Sequence, residues 1–370
     1  MNQMHPAMSA DLPRPAVGMR RPLPYPNGWF ALCFSDEVKT GAVRTVSFMG
    51  GELVVYRTQS GTVKVVSPYC PHLGAHLGQG GKVEDENLVC PFHGLKYAPD
   101  GRCVRPDGER PLRTPMLSCW QVHEWNGAVF VWRDSEGRPP DWGLPDVDLR
   151  GFAHPITDSF EVGGYIQDAA ENLADVMHFR ALHGFQEVEQ GPLRTEGPRM
   201  ECDFKQKVGN QSLHFQAAWL GLGCTSVMMQ FPSLGLRAHV QAMFTPVAPL
   251  RWAFRVRHVF QLAWLDRWPR LLSAPLYGLI RVVFQYWFHG ENLKDRRIWD
   301  TKSFDPEPGL VPGDGPIMAH RRWAAQFYPP ASPDHEVSPL RFVAAHGDGR
   351  HPDRFAPPNT TDRSAPASAG

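Results

Sequence analysis

The sequence predicts a protein of two domains, an all-β domain followed by a larger α+β domain. Its 370 residues exceed the usual length of a single domain. Short runs with alternating apolar residues, separated by turn residues, fill the first third of the chain and are typical of β-strands. Beyond residue 150, strand-like segments alternate with longer stretches of helical composition. We therefore expect two separate cores.

The composition is that of a globular protein without net charge. Hydrophobic residues make up 42% and charged residues 21% of the chain, which excludes a largely disordered or fibrous protein. Lysine and arginine balance aspartate and glutamate at a formal net charge of +0. That balance lacks the electrostatic signature of a protein that binds nucleic acid or an anionic membrane. A small or apolar partner is the expectation.

Both ends of the chain are predicted to lie outside the folded domains. Residues 1–23 form an arm whose prolines and aspartate interrupt the apolar stretch that a signal peptide needs. Residues 331–370 have a composition that cannot bury enough apolar area to fold, which predicts a flexible tail.

The cysteine content and the absence of a signal-peptide pattern predict a cytoplasmic protein. Seven cysteines are too few for a disulfide scaffold, and a reducing compartment leaves them free to bind metal.

The first domain, residues 24–135, is predicted from hairpin signals. The strand-like runs VRTVSF and ELVVYR flank Met49-Gly50-Gly51, and Ser60-Gly61 separates ELVVYR from TVKVVS. Both connections have the composition of hairpin turns. The run AVFVW closes the domain. The segment that follows, residues 136–150, is dense in proline, glycine and aspartate and predicts a linker.

The second domain, residues 151–330, mixes two kinds of element. SFEVGGYIQ and LRWAFRVRHVF alternate like strands, whereas AAENLADVMHFRALH has helical composition without glycine or proline. This mixture predicts an α+β fold. No internal repeat of solenoid length is present in the sequence.

Two short loops of the first domain each contain one cysteine and one histidine. Cys70 and His72 lie in CPH, and Cys90 and His93 lie in CPFH. Tetrahedral zinc also takes two cysteines and two histidines, but a zinc finger pairs like residues on each element. A [2Fe-2S] centre in which two imidazoles replace two thiolates on one iron fits one of each per loop. In that centre Cys70 and Cys90 hold one iron, and His72 and His93 hold the other.

These loops resemble the cluster-binding loops of the Rieske family. CPHLGA and CPFHG, with flanking GWFAL and LKYAPDGRC, are similar to its cluster-binding domain. Gly74 and Gly94 follow the loops, where a glycine lets backbone N–H groups approach the bridging sulfurs. Rieske proteins of respiratory complexes add a cysteine to each loop, where this sequence has Ala75 and Phe92. The resemblance is thus to the lower-potential oxygenase or ferredoxin kind.

A second group of candidate ligands lies in residues 171–183. His178 and His183, with one carboxylate, make a set that holds iron(II) on one face and leaves positions open for O₂ and substrate. Five residues separate these histidines by about 140° on an ideal helix, so a π-bulge or a helix end is needed. Asn172, Asp175 and His178 share one helix side, which predicts a hydrogen bond from the His178 ring N–H to Asp175. In isolation, an amphipathic helix with two satisfied histidines is the alternative.

This segment resembles the N-x-x-D-x-x-H-x-x-x-x-H motif of Rieske oxygenases. The resemblance implies a mononuclear iron held by His178 and His183, with Asn172 and Asp175 as catalytic residues. It also implies that Asp175 links His178 to one of the two cluster histidines of a neighbouring subunit, and therefore a homotrimer. The implied catalytic domain has a helix-grip (START-like) fold with an antiparallel sheet.

The third iron ligand is expected on the helical segment 284–299. Glu291 and Asp295 fall on the same face as its aromatic residues, and a carboxylate on an apolar face needs a partner such as a metal. Periodicity alone leaves the two equivalent. KDRRIWDTK resembles the E-D-x-x-I-W segment that carries the last iron ligand in relatives, which implies Asp295. Asp300 projects to the opposite face and is expected to be solvated, and Gly290 interrupts the predicted helix.

Within the family, YPNGWFAL and ADVMHFRALHG are similar to oxygenases that act on steroids, the 3-ketosteroid 9α-hydroxylases and the cholesterol 7-desaturases. The resemblance implies an apolar, polycyclic, sterol-like substrate that is hydroxylated or desaturated with O₂. Aromatic-ring dioxygenation and O-demethylation use the same iron site and remain alternatives. A Rieske electron-transfer protein is the alternative of a different class, and it has no need of His178, His183 and Asp295.

The electrons are expected to come from a separate protein. No G-x-G-x-x-G follows a predicted strand, so the chain lacks this nucleotide-binding fingerprint. A ferredoxin or a flavin reductase that draws on external NAD(P)H is the implied partner.

One apolar segment, LLSAPLYGLI at residues 271–280, lies between Arg270 and Arg281 and is too short to span a bilayer. It predicts a buried helix or an interface, with peripheral contact with a membrane surface as the alternative. Five residues in strand-like segments are candidates for an apolar pocket or, alternatively, for the ordinary core. They are Trp219, Met228, Met229, Phe231 and Met243.

Overall fold

The computed structural model of the chain describes residues 20, 22–104, 116–153 and 155–330. Within these residues, a first region of short β-sheets precedes a second region that contains one large sheet and four α-helices. The predicted tail, residues 331–370, and nearly all of the predicted arm lie outside the described residues.

The described part of the first region contains three antiparallel sheets, with the strand orders β1-β10-β9, β2-β3-β4 and β5-β6-β7-β8. The strands are β1 (Gly28–Phe34), β2 (Val43–Phe48), β3 (Gly51–Arg57), β4 (Val63–Val66), β5 (Lys82–Glu84), β6 (Asn87–Val89), β7 (Lys96–Tyr97), β8 (Cys103–Val104), β9 (Val122–Trp125) and β10 (Ala128–Arg133). The predicted all-β character of this region is confirmed.

The turn between β2 and β3 is the hairpin that the sequence predicts there. Met49 and Gly50 have φ angles of 49° and 81°, and Phe48 pairs with Gly51 across the turn. Two consecutive residues with positive φ match the right-handed twist of paired strands. Gly50 adopts this conformation at little cost because it has no Cβ.

The second region is built on one large antiparallel sheet with the order β11-β18-β17-β16-β15-β14-β12, in which β13 also pairs with β14. Its strands are β11 (Ile156–Gly163), β12 (Gln186–Gln190), β13 (Arg194–Glu196), β14 (Arg199–Val208), β15 (Gln211–Leu220), β16 (Cys224–Phe231), β17 (Leu236–Ala248) and β18 (Arg251–Leu262). Four helices accompany it: α1 (Ile166–Glu171), α2 (Val176–Ala181), α3 (Arg270–Trp299) and α4 (Ile317–Ala324).

Helix α3 packs on this sheet through a row of aromatic rings. The Phe284 ring stacks on Phe260 with centroids 5.0 Å apart, and the Phe288 ring lies 4.0 Å from the His258 ring. At the other end, the buried Trp299 contacts the sheet. Such a helix laid on an antiparallel sheet confirms the predicted α+β fold.

Helix α1 is anchored at its C-terminal end. The indole N–H of the buried Trp219 donates to the Ala170 carbonyl at 2.7 Å. The Arg321 guanidinium on α4 binds the Glu171 carboxylate through two hydrogen bonds of 2.8 and 3.1 Å. A two-point arginine–carboxylate contact fixes direction as well as distance. The chain that leaves α1 therefore starts from a fixed position.

The structure corrects two expectations about α3. The helix continues through Gly290, although a glycine costs about 1 kcal/mol relative to alanine, because aromatic packing on both sides holds it. Within one chain, residues 271–280 are not a buried helix, so an interface or a membrane contact is what the prediction leaves for this segment. Leu276, Tyr277 and Ile280 pack on the sheet, but Leu271 on the outer side is 90% exposed.

The predicted linker, residues 136–150, contains no helix or strand but packs on the first region. Its backbone carbonyls accept hydrogen bonds of 2.8 to 2.9 Å from three tryptophan indoles. The donor–acceptor pairs are Trp29 with Trp142, Trp125 with Pro145 and Trp132 with Arg138.

Arg20 of the predicted arm contacts the second region. The Arg20 guanidinium donates to the carbonyls of Asp300 at 2.9 Å and Lys302 at 2.6 Å. In the part of the chain that the structure describes, no helix is both long enough and apolar enough to cross a membrane.

Candidate cluster and metal centres

The two cysteine–histidine loops have the same backbone turn. In each loop the cysteine N–H donates at 2.8 Å to the carbonyl five residues later. The glycine N–H four residues later donates back to the cysteine carbonyl, at 2.9 Å for Cys70 and 3.1 Å for Cys90. Gly74 and Gly94 have φ angles of 76° and 69°, a region that favours glycine. The spacing of each loop thus produces one repeated geometry.

The four candidate cluster ligands are divided by burial. Cys70 and Cys90 are each 2% exposed, whereas His72 and His93 are exposed with ring centroids 4.9 Å apart. Inner thiols and outer imidazoles are what a centre with one cysteine-held iron and one histidine-held iron requires. The residues present therefore fit a Rieske [2Fe-2S] cluster.

The inner thiols lie in a site that disfavours free thiolates. Burial raises the pKa of Cys70, the Tyr97 hydroxyl 3.1 Å from its sulfur lowers it, and the neighbouring Cys90 thiol raises it again. Bound iron supplies the positive charge that such a pair of sulfurs needs to ionise. Tyr97, within LKYAPDG, is a cluster-side residue that the sequence does not single out.

Three side chains from separate elements converge at the second candidate site. The ligand atoms of His178, His183 and Asp295 all lie within 4.8 Å of one another. His183 Nε2 is 3.3 Å from Asp295 Oδ1, and the two imidazole centroids are 5.1 Å apart. Helix α2 ends at Ala181, so His183 follows the helix instead of continuing it. A helix end, one of the two distortions expected from the five-residue spacing, is therefore present.

Asn172 orients the carboxylate of this group. Its side-chain amide donates to Asp295 Oδ1 at 3.0 Å, and its own oxygen accepts a 3.3 Å hydrogen bond from the Trp299 indole. The Asp295 carboxylate is thereby fixed from the α1 side and by its own helix.

Asp175 acts differently from the prediction. Its carboxylate caps α2 by accepting the His178 backbone N–H at 3.1 Å, while His178 Nδ1 lies 2.6 Å from the Asp175 backbone carbonyl. The predicted bond from the ring to the carboxylate is wrong within one chain. The chain leaves the helix between Asn172 and Asp175, where Asp175 takes an extended conformation. The carbonyl holds the Nδ1 proton, which leaves Nε2 free to bind metal.

Asp300 also differs from the prediction. Its carboxylate is only partly exposed and accepts the Gly163 backbone N–H at 2.6 Å. The side chain lies at the C-terminal end of α3, where it contacts the end of β11 instead of solvent alone.

Glu291 and Asp295 meet opposite nitrogens of one imidazole. Glu291 Oε2 lies 2.7 Å from His183 Nδ1, whereas Asp295 faces Nε2. The Lys294 ammonium donates to both Glu291 oxygens, at 2.8 and 2.9 Å. A carboxylate that holds the non-ligating N–H of a metal-binding histidine is a common outer partner of metal sites. The geometry thus separates two residues that periodicity left equivalent.

The electrostatics of this group favour a cation. Burial lowers the pKa of His178, although Asp295 opposes that shift. Burial also acts against the charged form of His183, but Asp295 and Glu291 outweigh it and raise the pKa of His183. An imidazole between two carboxylates marks a site of negative potential. Two imidazole nitrogens and one carboxylate oxygen are a donor set suited to iron(II).

Comparison with known proteins gives the family. The Rieske [2Fe-2S] domain matches residues 28–120, and the 3-Ketosteroid 9alpha-hydroxylase C-terminal domain matches residues 131–328. Cholesterol 7-desaturase nvd of Bombyx mori is 31% identical over 336 residues, which cover 84% of this chain and 71% of the relative. This chain is a Rieske non-heme iron oxygenase. As such it is an oxidoreductase that carries a Rieske cluster and a mononuclear iron.

Another relative of this Rieske oxygenase is bacterial. The 3-ketosteroid-9-alpha-monooxygenase, oxygenase component, of Mycobacterium tuberculosis is 27% identical over 339 residues, 83% of each chain. Solved structures share the fold at lower identity. Dicamba monooxygenase bound to dicamba has a TM-score of 0.59 at 17% identity and covers 81% of this chain and 96% of its own. NdmA of Pseudomonas putida CBB5 with caffeine has a TM-score of 0.61 at 15% identity and covers 80% of this chain and 89% of its own.

The five strand-borne pocket candidates divide between core and edge. Trp219 and Met243 are fully buried, so the core alternative holds for both. Met229 and Phe231 are partly buried against the core. Met228 lines a surface pocket on the sheet together with polar side chains such as Gln216.

Proposed function

We propose that this Rieske oxygenase is the terminal component of a system that oxidises an apolar, sterol-like substrate with O₂. The observation that carries the proposal is the convergence of His178, His183 and Asp295 within 4.8 Å beside a Rieske domain. The names of two groups of relatives, cholesterol 7-desaturases and a 3-ketosteroid-9-alpha-monooxygenase, support the substrate class. Hydroxylation and desaturation are both compatible with this site.

We assign the cofactor ligands residue by residue. Cys70 and Cys90 hold the inner iron of the cluster, and His72 and His93 hold the outer iron. Their opposite burial supports this division. The domain limits that we propose are residues 24–135 for the cluster domain and 151–330 for the catalytic domain, with 136–150 as the linker.

His178, His183 and Asp295 are the proposed ligands of the mononuclear iron, which supplies O₂ activation when bound. The protein contributes orientation. The Asp175 carbonyl and the Glu291 carboxylate each hold one histidine Nδ1 proton. These contacts keep both Nε2 atoms directed at the site before substrate arrives.

Aromatic side chains shield one side of this centre from water. The Phe179 ring lies 6.1 Å from Phe185 and 5.9 Å from both Phe204 and Phe215. Phe179, Phe204 and Phe215 are all buried. An apolar wall next to the ligands suits a substrate without charge, because little polar surface has to be desolvated. Aromatic-ring dioxygenation and O-demethylation remain alternatives within the same site chemistry.

A homotrimer and a separate electron donor complete the proposal. Leu73 is 66% and Phe92 62% exposed beside the outer histidines, an apolar tip suited to protein contacts. Asp175 is partly exposed, so a cluster histidine of a neighbouring subunit can approach its carboxylate. The donor is a ferredoxin or flavin reductase that uses NAD(P)H. Because the cysteine ligands must remain reduced thiols before cluster assembly, we propose a cytoplasmic location.

The deciding experiment is a product profile. Reconstituted protein with a ferredoxin and reductase is offered cholesterol, a 3-ketosteroid and small aromatic compounds, and the products are identified by mass spectrometry. We expect hydroxylated or dehydrogenated sterol and no aromatic diol, with Asp295→Ala as the inactive control. Turnover of the aromatic compounds alone would refute the proposed substrate class.

A further inference from the structure

The N-terminal half of α3 exposes apolar side chains where a surface helix ordinarily carries charge. The core-facing side is formed by Leu276, Tyr277, Ile280 and Phe284. Six residues on the other sides of the helix form what we call the outer apolar face. They are Leu271, Leu272, Leu279, Val282, Val283 and Tyr286, each at least 61% exposed. A helix that is apolar on its outer side as well as on its core-facing side ordinarily has a partner that covers the outer side.

The outer apolar face is long and nearly continuous. From Leu271 to Tyr286 the helix extends about 23 Å. Leu271, Leu279, Val282 and Tyr286 follow helical spacing and lie on one stripe that points away from the sheet. Leu271 is 90% and Tyr286 84% exposed. Contiguous exposed apolar patches of this kind are typical of interaction surfaces and uncommon elsewhere on a folded protein.

The surroundings of this face are cationic. Residues 264–290 contain three arginines and one acidic residue, Asp266, whose carboxylate accepts hydrogen bonds from Gln261 and Tyr277. Arg267, Arg270 and Arg281 are all exposed, and within the described part of the chain none of them forms an ion pair. This local charge contrasts with the neutral charge of the whole chain. Arginines beside an apolar stripe are complementary to a bilayer surface that contains anionic lipid.

Two exposed tryptophans extend the patch at the start of α3. Trp264 is 43% and Trp268 48% exposed, and their rings contact each other at 5.9 Å. Tryptophan favours the boundary between headgroups and acyl chains, because its ring is largely apolar and its N–H is polar. Exposed aromatic residues, an apolar stripe and exposed arginines therefore occur within one segment of the chain, residues 264–286.

We propose that the outer apolar face of α3 docks on the surface of a bilayer that contains anionic lipid. The helix lies in the interface and does not cross it, in agreement with the absence of a membrane-spanning helix among the described residues. A two-fold contact through this face would bring like-charged arginines together, which disfavours it. The proposed homotrimer joins unlike surfaces of neighbouring copies, and dissociation of the oligomer on substitution of this face would assign the face to that contact instead. The inference rests on the proposed sterol-like substrate, which is concentrated in bilayers because it is apolar.

The test is flotation of the purified, metal-loaded full chain with vesicles. One set contains phosphatidylcholine alone, and the other also contains phosphatidylglycerol. We expect binding to the anionic vesicles that weakens as salt is raised, since exposed charges are screened. No flotation with either set would overturn the proposal.

Two variants separate the apolar from the ionic contribution. Leu271→Gln with Leu279→Gln and Val282→Gln should reduce vesicle binding at least about tenfold, because three apolar side chains no longer enter the interface. Arg270→Gln with Arg281→Gln should reduce binding to anionic vesicles by about fivefold per arginine. Glutamine preserves the helix. The control is Val104→Gln with Met116→Gln, which removes two exposed apolar residues, 43% and 44% exposed, from the first region and should leave binding unchanged.

Two further measurements keep this inference distinct from the proposed function. Light scattering with size exclusion should give the same oligomer for wild type and the three-glutamine variant, and dissociation would assign the face to a second copy instead. Product formation from sterol delivered in cyclodextrin should be equal in both proteins, whereas formation from vesicle-borne sterol should fall in the variant. An equal loss of product formation with cyclodextrin-delivered and vesicle-borne sterol would overturn the docking role. Inactivity of the wild type on every sterol would refute only the proposed function.

Discussion

At the scale of single residues, the different contacts of Glu291 and Asp295 distinguish the candidate metal ligand from the residue that positions a ligand. Both lie on one face of α3, and both contact His183. Only Asp295 belongs to the group whose ligand atoms lie within 4.8 Å of one another. Glu291 instead faces the nitrogen on the far side of the ring and is held there by Lys294. The first residue is therefore expected to bind metal and the second to position a ligand.

The Asp295→Ala variant should lose the mononuclear iron and all product formation while the cluster remains reducible. Two histidines alone leave the facial set incomplete. Glu291→Gln should keep detectable iron with about 10- to 100-fold weaker affinity, since it perturbs an outer partner. Iron titration and product assays on both variants are the measurement. Full activity of Asp295→Ala would show that the carboxylate ligand is another residue.

The Cys90→Ser variant should abolish the visible absorption of the cluster and leave iron binding at the second site intact. Cys90 is buried, as is Cys70, and the second centre is formed by other residues. Absorption spectra, acid-labile sulfide and total iron are measured on wild type and variant. Zinc without sulfide in the wild type would contradict the cluster assignment.

At the scale of elements, the break between α1 and α2 builds the second centre. The first helix ends at Glu171 and the second begins at Val176, and Asp175 caps the second. The break places Asn172 against Asp295, and the end of α2 at Ala181 lets His183 leave the helix. A helix that continued past Ala181 would separate His178 from His183 by about 140°.

The Asp175→Asn variant should retain the fold and both metals but lose most turnover. Asparagine caps a helix about as well as aspartate, and the bond to the His178 ring comes from the backbone. What the variant removes is the negative charge at the proposed contact with a neighbouring subunit. Asp175→Ala is the companion variant, and it should also lose about 1 kcal/mol of stability with the cap. Turnover by Asp175→Asn close to wild type would exclude a bridging role.

At the scale of the whole molecule, buried imidazoles make the fold sensitive to acid. Burial lowers the pKa of His239 to about 4 and that of His258 and His320 to about 3. An unfolded histidine titrates near 6.5, so protons bind the unfolded chain first. The stability that these neutral rings contribute is complete above pH 6.5 and is lost as the pH falls toward the folded-state values.

The His320→Met variant should therefore lose less stability than wild type between pH 6.5 and 4. Each depressed histidine steepens the loss by at most about 1.4 kcal/mol per pH unit. His320 is buried between Trp219 and Trp323, and methionine has a similar volume. The measurement is the unfolding free energy against pH, with the exposed His214→Gln as control. Identical slopes for wild type and His320→Met would contradict the assignment.

The sequence by itself determined the family and the α+β fold class, and it predicted the two domains and their ligand loops. These features are local in sequence. Cys70 and His72 are two residues apart, and His178 and His183 are five apart, so their spacing alone indicates a metal-binding motif. The hairpin at Met49 and Gly50 is local in the same way.

Only the tertiary structure decided which carboxylate meets which histidine nitrogen, because α3 reaches His183 from more than a hundred residues away in sequence. It also decided that Asp175 bonds the His178 ring through its carbonyl, since a helix break is a packing outcome that composition does not express. The exposure of residues 271–280 was also decided by tertiary structure. The apolar sequence predicts burial or a contact, but only the packing shows that the sheet buries one side of α3 and leaves the other side exposed.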